Sequence, residues 1–341
     1  AQLTKWKSTY KNHPGIVFLQ HIAKERGIVD ISPKKIVLLL PFDQELGSAS
    51  DSIRDGFMTA WYQDAENPQR PAVTIYSTSE NTNLTSLLDL VRRDGTEMIV
   101  GPLQKHFVTQ AKKLNTTIPI LALNIGREER SSNENFFQFG LSPEDEAKEA
   151  ARQARRVGER ALILVPESRW GERMATAYRE AWRDLAGEVV ADIRYDIRGE
   201  SYSDAVIRAL NIDLSTARYR NIQRFTGEDL EFEPRAREDI NVILLAALAK
   251  DAKQILPQLR YYRAQSIPVY STSHSYQSRS GEPLQSDLNG IVFSDMPWLF
   301  GLQDKKSFDS VKANWPNASN NYIRFYGLGI DAYRLIAGLN D

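Results

Sequence analysis

Four histidines, no cysteine and a few short runs of glycine and serine are where chemistry would have to sit in this chain. Gly327-Leu328-Gly329-Ile330-Asp331-Ala332 has the letters of a dinucleotide-binding turn, in which glycines let the backbone approach a pyrophosphate. That chemistry needs a strand before the glycines and a helix starting at them; here both glycines lie inside a helical apolar stripe. Small residues that let two helices pack closely are the better account. Gly101-Pro102-Leu103-Gln104-Lys105 lacks the second glycine and the hydroxyl of a phosphate loop. Gly47-Ser48-Ala49-Ser50-Asp51 fails the G-x-S-x-G nucleophile elbow at its last residue. His106, near a helix start, and His274, within Thr272-Ser273-His274-Ser275-Tyr276, are the general-base candidates of the main body, and both read as surface or capping residues.

Acids fare no better as catalysts or ligands. Glu144, Asp145, Glu146 and Glu149 follow Ser142-Pro143 and read as first-turn carboxylates of a capped helix. His21 and Glu25, four apart, read as a solvated helix pair. No H-E-x-x-H or EF-hand loop occurs, and Asn83, Asn115 and Asn317 head N-x-S/T triplets at a frequency chance explains. The sequence therefore predicts no catalytic residue, no metal and no cofactor. Composition agrees. Against 43 Lys+Arg stand 44 Asp+Glu, a net charge of -1 that removes the electrostatic case for nucleic acid or an anionic membrane. Without Cys there is no disulfide framework and no thiol chemistry. No apolar run nears the ~20 residues of a bilayer span. The start at Ala1-Gln2-Leu3 shows no signal peptide and predicts a mature or trimmed chain.

The elements that would position any site follow from hydrophobic period. Residues 1–31 read as two short helices around Pro14-Gly15, the end of a helical-repeat N-terminal domain. From Ser32 onward, apolar β-rich runs at Ile36–Pro41, Ala72–Ser77, Glu97–Pro102 and Ile118–Leu123 alternate with helical stripes such as Ile53, Phe57, Ala60 and Trp61. Runs apolar on both faces, alternating with helices, imply a parallel sheet covered on both sides. The pattern then repeats with strands at Ala161–Pro166, Val189–Tyr195 and Asn241–Leu248, and another buried run follows at Gly290–Phe293. A closing stripe of Ile323, Tyr326, Ile330, Tyr333 and Ile336 is expected to pack on the first lobe. The fold class predicted is α/β, two doubly wound parallel-sheet lobes. The first takes residues 34–140 and 272–341 and the second 141–271.

Ligands of doubly wound sheets collect at the carboxyl ends of the strands, beside helix N-termini. The candidate lining of a cleft between the lobes is therefore Ser48, Ser79, Gly101, Gln104, Asn124, Trp170, Ser273 and Tyr276. The stretch 213–239 breaks the alternation. It holds Arg218, Arg220, Arg224, Arg235 and Arg237 among acids of comparable number, so it reads as a mixed-charge insertion, an elaborated helical connection that offers a surface for a partner.

Several segments carry a resemblance. Lys35–Phe42, Ile53-Arg54-Asp55-Gly56-Phe57 and Ile99-Val100-Gly101-Pro102-Leu103 resemble the periplasmic-binding-protein-like type I fold. More narrowly, residues 34–341 resemble the C-terminal domain of LpoA-type outer-membrane lipoproteins, activators of a class A penicillin-binding protein. The likeness runs in order through Phe139–Ala147, Trp170-Gly171-Glu172-Arg173, Leu256–Tyr262, Ile267–Ser273, Pro297-Trp298-Leu299 and Tyr326–Tyr333. It implies a non-enzymatic regulator on the periplasmic side of the outer membrane. The partner implied is a class A penicillin-binding protein, a bifunctional peptidoglycan synthase. Membrane attachment would come only through a lipid anchor outside this chain, and the protein is expected to be a monomer that does not bind nucleic acid. The alternative is a solute-binding receptor holding a small polar ligand between the lobes. A hydrolase or dehydrogenase would have only the rejected motifs behind it.

Overall fold

The computed structural model describes residues 33–43, 45–126, 135–198, 202–229, 231–277, 286–300, 302–315 and 322–339. The helices expected within 1–31, with His21 and Glu25, lie outside these residues, as does Asn317. The chain divides into two compact units. One runs to Leu141 and resumes at Met296, and the other is Ser142–Asp295. The expected boundary at 271/272 is thus corrected to 295/296. The residues between belong to the second unit because they carry its edge strand, which pairs with the strand before it.

The first unit holds β1 (Lys35–Pro41), α1 (Gly47–Gln63), β2 (Ala72–Thr78), α2 (Leu84–Arg93), β3 (Met98–Val100), α3 (Lys105–Ala111), β4 (Ile120–Ala122) and β5 (Phe136–Gln138). All its strand pairs are parallel, in the order β2-β1-β3-β4-β5. Alternation along β1 sorts the core. Ile36, Leu38 and Leu40 face α1, while Val37 and Leu39 face α2 and α3. Both faces are apolar because both are covered.

The second unit holds α4 (Pro143–Ala154), β6 (Arg160–Pro166), α5 (Arg169–Asp184), β7 (Glu188–Tyr195), α6 (Ser203–Ala209), α7 (Ile212–Thr226), β8 (Val242–Leu245), α8 (Ala249–Tyr261), β9 (Val269–Ser271) and β10 (Ile291–Phe293). Its order, β10-β9-β8-β6-β7, is again all parallel and repeats the strand order of the first sheet. Leu162, Leu164, Ile243 and Leu245 pack under α6 and α8, while Ile163, Val165 and Leu244 pack under α4 and α5. The insertion is helical only in α7. Residues 231–239 carry no helix or strand.

The chain then completes the first unit with α9 (Lys305–Asn314) and α10 (Ile323–Gly338). As expected, α10 packs on the first sheet's α1 side. It meets α1 at two glycines. A Cβ on Gly329 would stand 2.1 Å from the Ile53 carbonyl oxygen, and one on Gly56 would stand 2.1 Å from that of Tyr326. The G-x-G letters therefore serve a helix crossing. The cap expected at Ser142 forms, and a second, not expected from the sequence, forms at Asn83. Ser142 Oγ accepts the Asp145 N–H at 3.2 Å with Pro143 in the first turn, and Asn83 Oδ1 accepts the Ser86 N–H at 3.1 Å. The strands β5 and β9 and the helix α9 lie outside the sequence expectations. Each of these strands is only three residues long, too short to show a period.

Candidate functional site

The carboxyl ends of the first sheet's strands gather five of the eight candidate residues. Ser48 is exposed in the first turn of α1, where its carbonyl accepts the Ser52 hydroxyl at 2.8 Å. Ser79 is exposed after β2, its N–H donating to Thr82 Oγ1 at 2.8 Å. Gly101, after β3, has φ +109°, and a Cβ there would lie 2.1 Å from the Leu39 carbonyl oxygen. Close approach of two strands, not phosphate binding, explains this glycine. Gln104 is buried, and its Oε1 accepts the Thr78 hydroxyl at 2.8 Å. Asn124 Nδ2 donates to the Leu103 carbonyl at 2.8 Å while its Oδ1 accepts the Ile125 N–H at 2.9 Å. The structure thus brings Gly101, Gln104 and Asn124 together, but as cross-ties between the loops after β2, β3 and β4. Gln104 Oε1 and both polar atoms of the Asn124 amide are engaged by neighbouring protein groups.

In the second unit Ser273 meets a residue that the sequence reads only as a helix-start acid, and Trp170 lies against the neighbouring His274. Glu146, in the first turn of α4, accepts the Ser273 N–H at 2.9 Å through Oε2, which also lies 3.7 Å from His274 Nδ1. The Thr272 hydroxyl meets the same Nδ1 at 3.2 Å, and the Trp170 ring lies 5.4 Å from the imidazole. Hydroxyl, imidazole and carboxylate together invite comparison with a hydrolytic triad. In a triad, however, nucleophile and orienting acid occupy opposite ring nitrogens, so that a proton passes through the imidazole. Here both sit at Nδ1, and the cluster is a loop clamp. Tyr276 stands apart, stacked on Phe293 at 5.0 Å.

Next to this clamp the end of β8 is closed by hydroxyls. Tyr178 and Ser271 donate to the Leu245 carbonyl at 3.0 and 2.8 Å, and Tyr195 donates to the Ala246 carbonyl at 2.9 Å. Burial pushes both phenols well above their ordinary value, with the Glu146 charge adding to the shift at Tyr178 and that of Asp251 at Tyr195. They stay protonated donors. Tyr202, which donates to Asp251 Oδ1 at 2.7 Å, is pushed up to about 12 by burial and by that bond. A hollow of about 470 Å³ opens between α4 and the β9–β10 edge, lined by Ala150, Gln153, Arg156, Tyr270, Val292 and Phe293 among others. Among the described residues no cluster of His, Asp and Glu could hold a metal ion, and no helix is long and apolar enough to cross a membrane.

The insertion arginines separate into two kinds. Arg218, Arg220 and Arg224 on α7, and Arg235 beyond it, are exposed. Arg237 is not part of that surface, which corrects its place among the candidate contact residues. Its side chain is only 14% exposed, it donates to both Asp239 carboxylate oxygens at 2.6 Å, and it reaches the Val190 carbonyl at 3.4 Å. The Arg237 hydrogen bonds hold the Asp239 carboxyl below its usual value.

The comparisons agree with this architecture. The family model described as "LppC putative lipoprotein" matches residues 1–341. "Penicillin-binding protein activator LpoA" of Photobacterium profundum is 30% identical over 345 residues, covering 98% of this chain and 55% of that protein. This chain spans about half the length of the curated relatives it matches. Two solved structures under 25% identical share the fold. "LpoA (YraM) C-domain from Haemophilus influenzae, a regulator of PBP1A" has a TM-score of 0.65 at 21% identity and covers 90% of this chain and 86% of that one. "Structure of a putative branched-chain amino acid ABC transporter from Chromobacterium violaceum ATCC 12472" has a TM-score of 0.61 at 23% identity and covers 90% of this chain and 88% of that one. The fold is periplasmic-binding-protein-like, and the chain belongs to the LppC lipoprotein family.

Proposed function

We propose that this chain is the partner-binding part of a periplasmic activator, one that binds a class A penicillin-binding protein and stimulates its peptidoglycan synthesis without catalysing a reaction itself. One observation carries the reading. The likeness to a protein named as a penicillin-binding protein activator extends over 98% of this chain at 30% identity. The internal chemistry supports it, because Gln104 Oε1 and the Asn124 amide are engaged within the fold and the His274 cluster lacks the geometry of a proton relay. The protein acts as a monomer at the periplasmic face of the outer membrane, held by a lipid anchor outside the residues of this chain. The test combines the purified protein with a class A synthase of the same organism and follows glycan polymerisation and peptide cross-linking. Binding with a rise in either rate is expected. A synthase that neither binds nor responds would refute the reading.

A second reading, a solute receptor, has the hollow beside β10 in its favour. Melting the protein with millimolar amino acids or muropeptides tests it, since a ligand that binds only the folded state raises the melting temperature. No shift is expected.

A further inference from the structure

The helix α7 is held on one side and bare on the other. Ile212 and Ser215 are buried, the Ser215 hydroxyl accepts the Arg235 N–H at 3.2 Å, and Tyr219 stacks on Phe232 with ring centroids 4.3 Å apart. An exposed flank of the helix carries Leu214, Arg218, Ile222 and Phe225, spaced by four, four and three residues and so aligned in one row. Leu214 is 50% exposed, Ile222 51% and Phe225 95%. Leaving such side chains in water forgoes roughly 25 cal/mol for each Å² that a partner would cover. Arg218 lies within the row, Arg220 and Arg224 lie on a different face of the helix, and α7 carries no lysine. Aromatic and arginine side chains together, without lysine, are the composition of interface hot spots.

Charge says what covers the row. Among the described residues Arg218 forms no ion pair, so covering the apolar row would strand its guanidinium group unless a carboxylate meets it. Past the Gly227 cap the sign reverses, with Glu228, Asp229, Glu231 and Glu233 all exposed. Glu233 pairs with Arg263, and the other three acids repel the anionic headgroups that a basic amphipathic helix would otherwise seek. A second copy fits no better, because a two-fold axis near the middle of the row sets Arg218 close to its own counterpart.

We propose that the α7 row of Leu214, Arg218, Ile222 and Phe225 is the docking helix for the synthase. It lies in an apolar groove of that partner, which presents a carboxylate to Arg218 and basic groups to the acids that follow Gly227. The inference rests on the activator reading above and adds its contact surface.

The experiment measures the affinity of the full chain for the class A synthase, using Ile222→Ser/Phe225→Ser and, separately, Arg218→Glu. All three changed side chains are exposed, and an unchanged melting temperature confirms that each variant folds. Each variant is expected to bind about tenfold more weakly or worse, as hot-spot truncations do. Arg218→Glu should also reduce the dependence of binding on salt. Variants that bind within twofold of the wild type overturn this inference and leave the activator reading standing. A wild-type chain that does not bind the synthase overturns both. Two controls complete the test, flotation with phosphatidylglycerol-containing vesicles and sedimentation of the protein alone. Phe225-dependent binding to vesicles, or Phe225-dependent self-association, would assign the row to a membrane or to a second copy and overturn the proposal.

Discussion

The crossing of α1 and α10 offers a quantitative test through Gly329→Ala. The added Cβ would lie 2.1 Å from the Ile53 carbonyl oxygen and 2.7 Å from the Phe57 nitrogen, where ordinary contact begins at 3.4 Å. Both obstacles are helix backbone and cannot rotate aside, so the helices must part by about 1 Å. That separation loosens the Phe57–Tyr333 edge contact, with ring centroids 5.2 Å apart, and the 2.7 Å bond from the Tyr333 hydroxyl to Asp64. Overpacking of this kind costs about 1–3 kcal/mol and occasionally more. Replacing a helix-interior glycine by alanine returns up to about 1 kcal/mol. Because rigid backbone stands on both sides, the overpacking cost falls at the upper end, and a net loss of about 2 kcal/mol is expected. Urea unfolding followed by tryptophan fluorescence reads it, since Trp61, Trp298 and Trp315 report on the unit that holds the crossing. Gly56→Ala should behave alike. The double variant should cost less than the sum of the two, because helices already parted have room for the second methyl. If Gly329→Ala matched the wild type, or gained the stability that helix propensity alone predicts, the close-crossing account would be wrong.

Other outcomes follow from the polar contacts. Thr78→Val removes the donor to the buried Gln104 oxygen and should cost about 1–3 kcal/mol in urea while leaving synthase stimulation intact. His274→Ala should likewise leave stimulation unchanged, and a loss of activity in a protein of wild-type stability would count against the loop-clamp reading. Asp239 has its pKa lowered by Arg237, so its contribution is complete above the usual value of 3.8 and is lost as pH falls through the lowered folded value. The stability difference between wild type and Asp239→Asn should therefore be largest near neutrality and shrink in acid. A difference that grew on acidification would reverse the sign of this argument.

Periodicity alone carried the doubly wound α/β class, the repetition of the pattern in a second lobe, the caps at Ser142 and the return of the closing helix to the first lobe. These features are local, because a run apolar on both faces announces a strand covered on both sides wherever it folds. The sequence also ruled correctly on Gly327-Leu328-Gly329, since glycines inside a helical stripe cannot open a phosphate turn. What it could not decide was how each polar side chain is used. Glu146 reads as a helix-start acid until the fold brings Ser273, 127 positions away, to its carboxylate. Gln104 and Asn124 read as ligand-facing until Thr78 and Leu103 are seen to engage them. Arg237 looks like its exposed neighbours until Asp239 and Val190 close around it. The unit that owns residues 272–295 likewise depends on β10 pairing with β9 and β9 with β8. Secondary structure answers to neighbours a few residues away, whereas hydrogen-bond satisfaction and burial answer to neighbours in space, and only the tertiary structure chooses those.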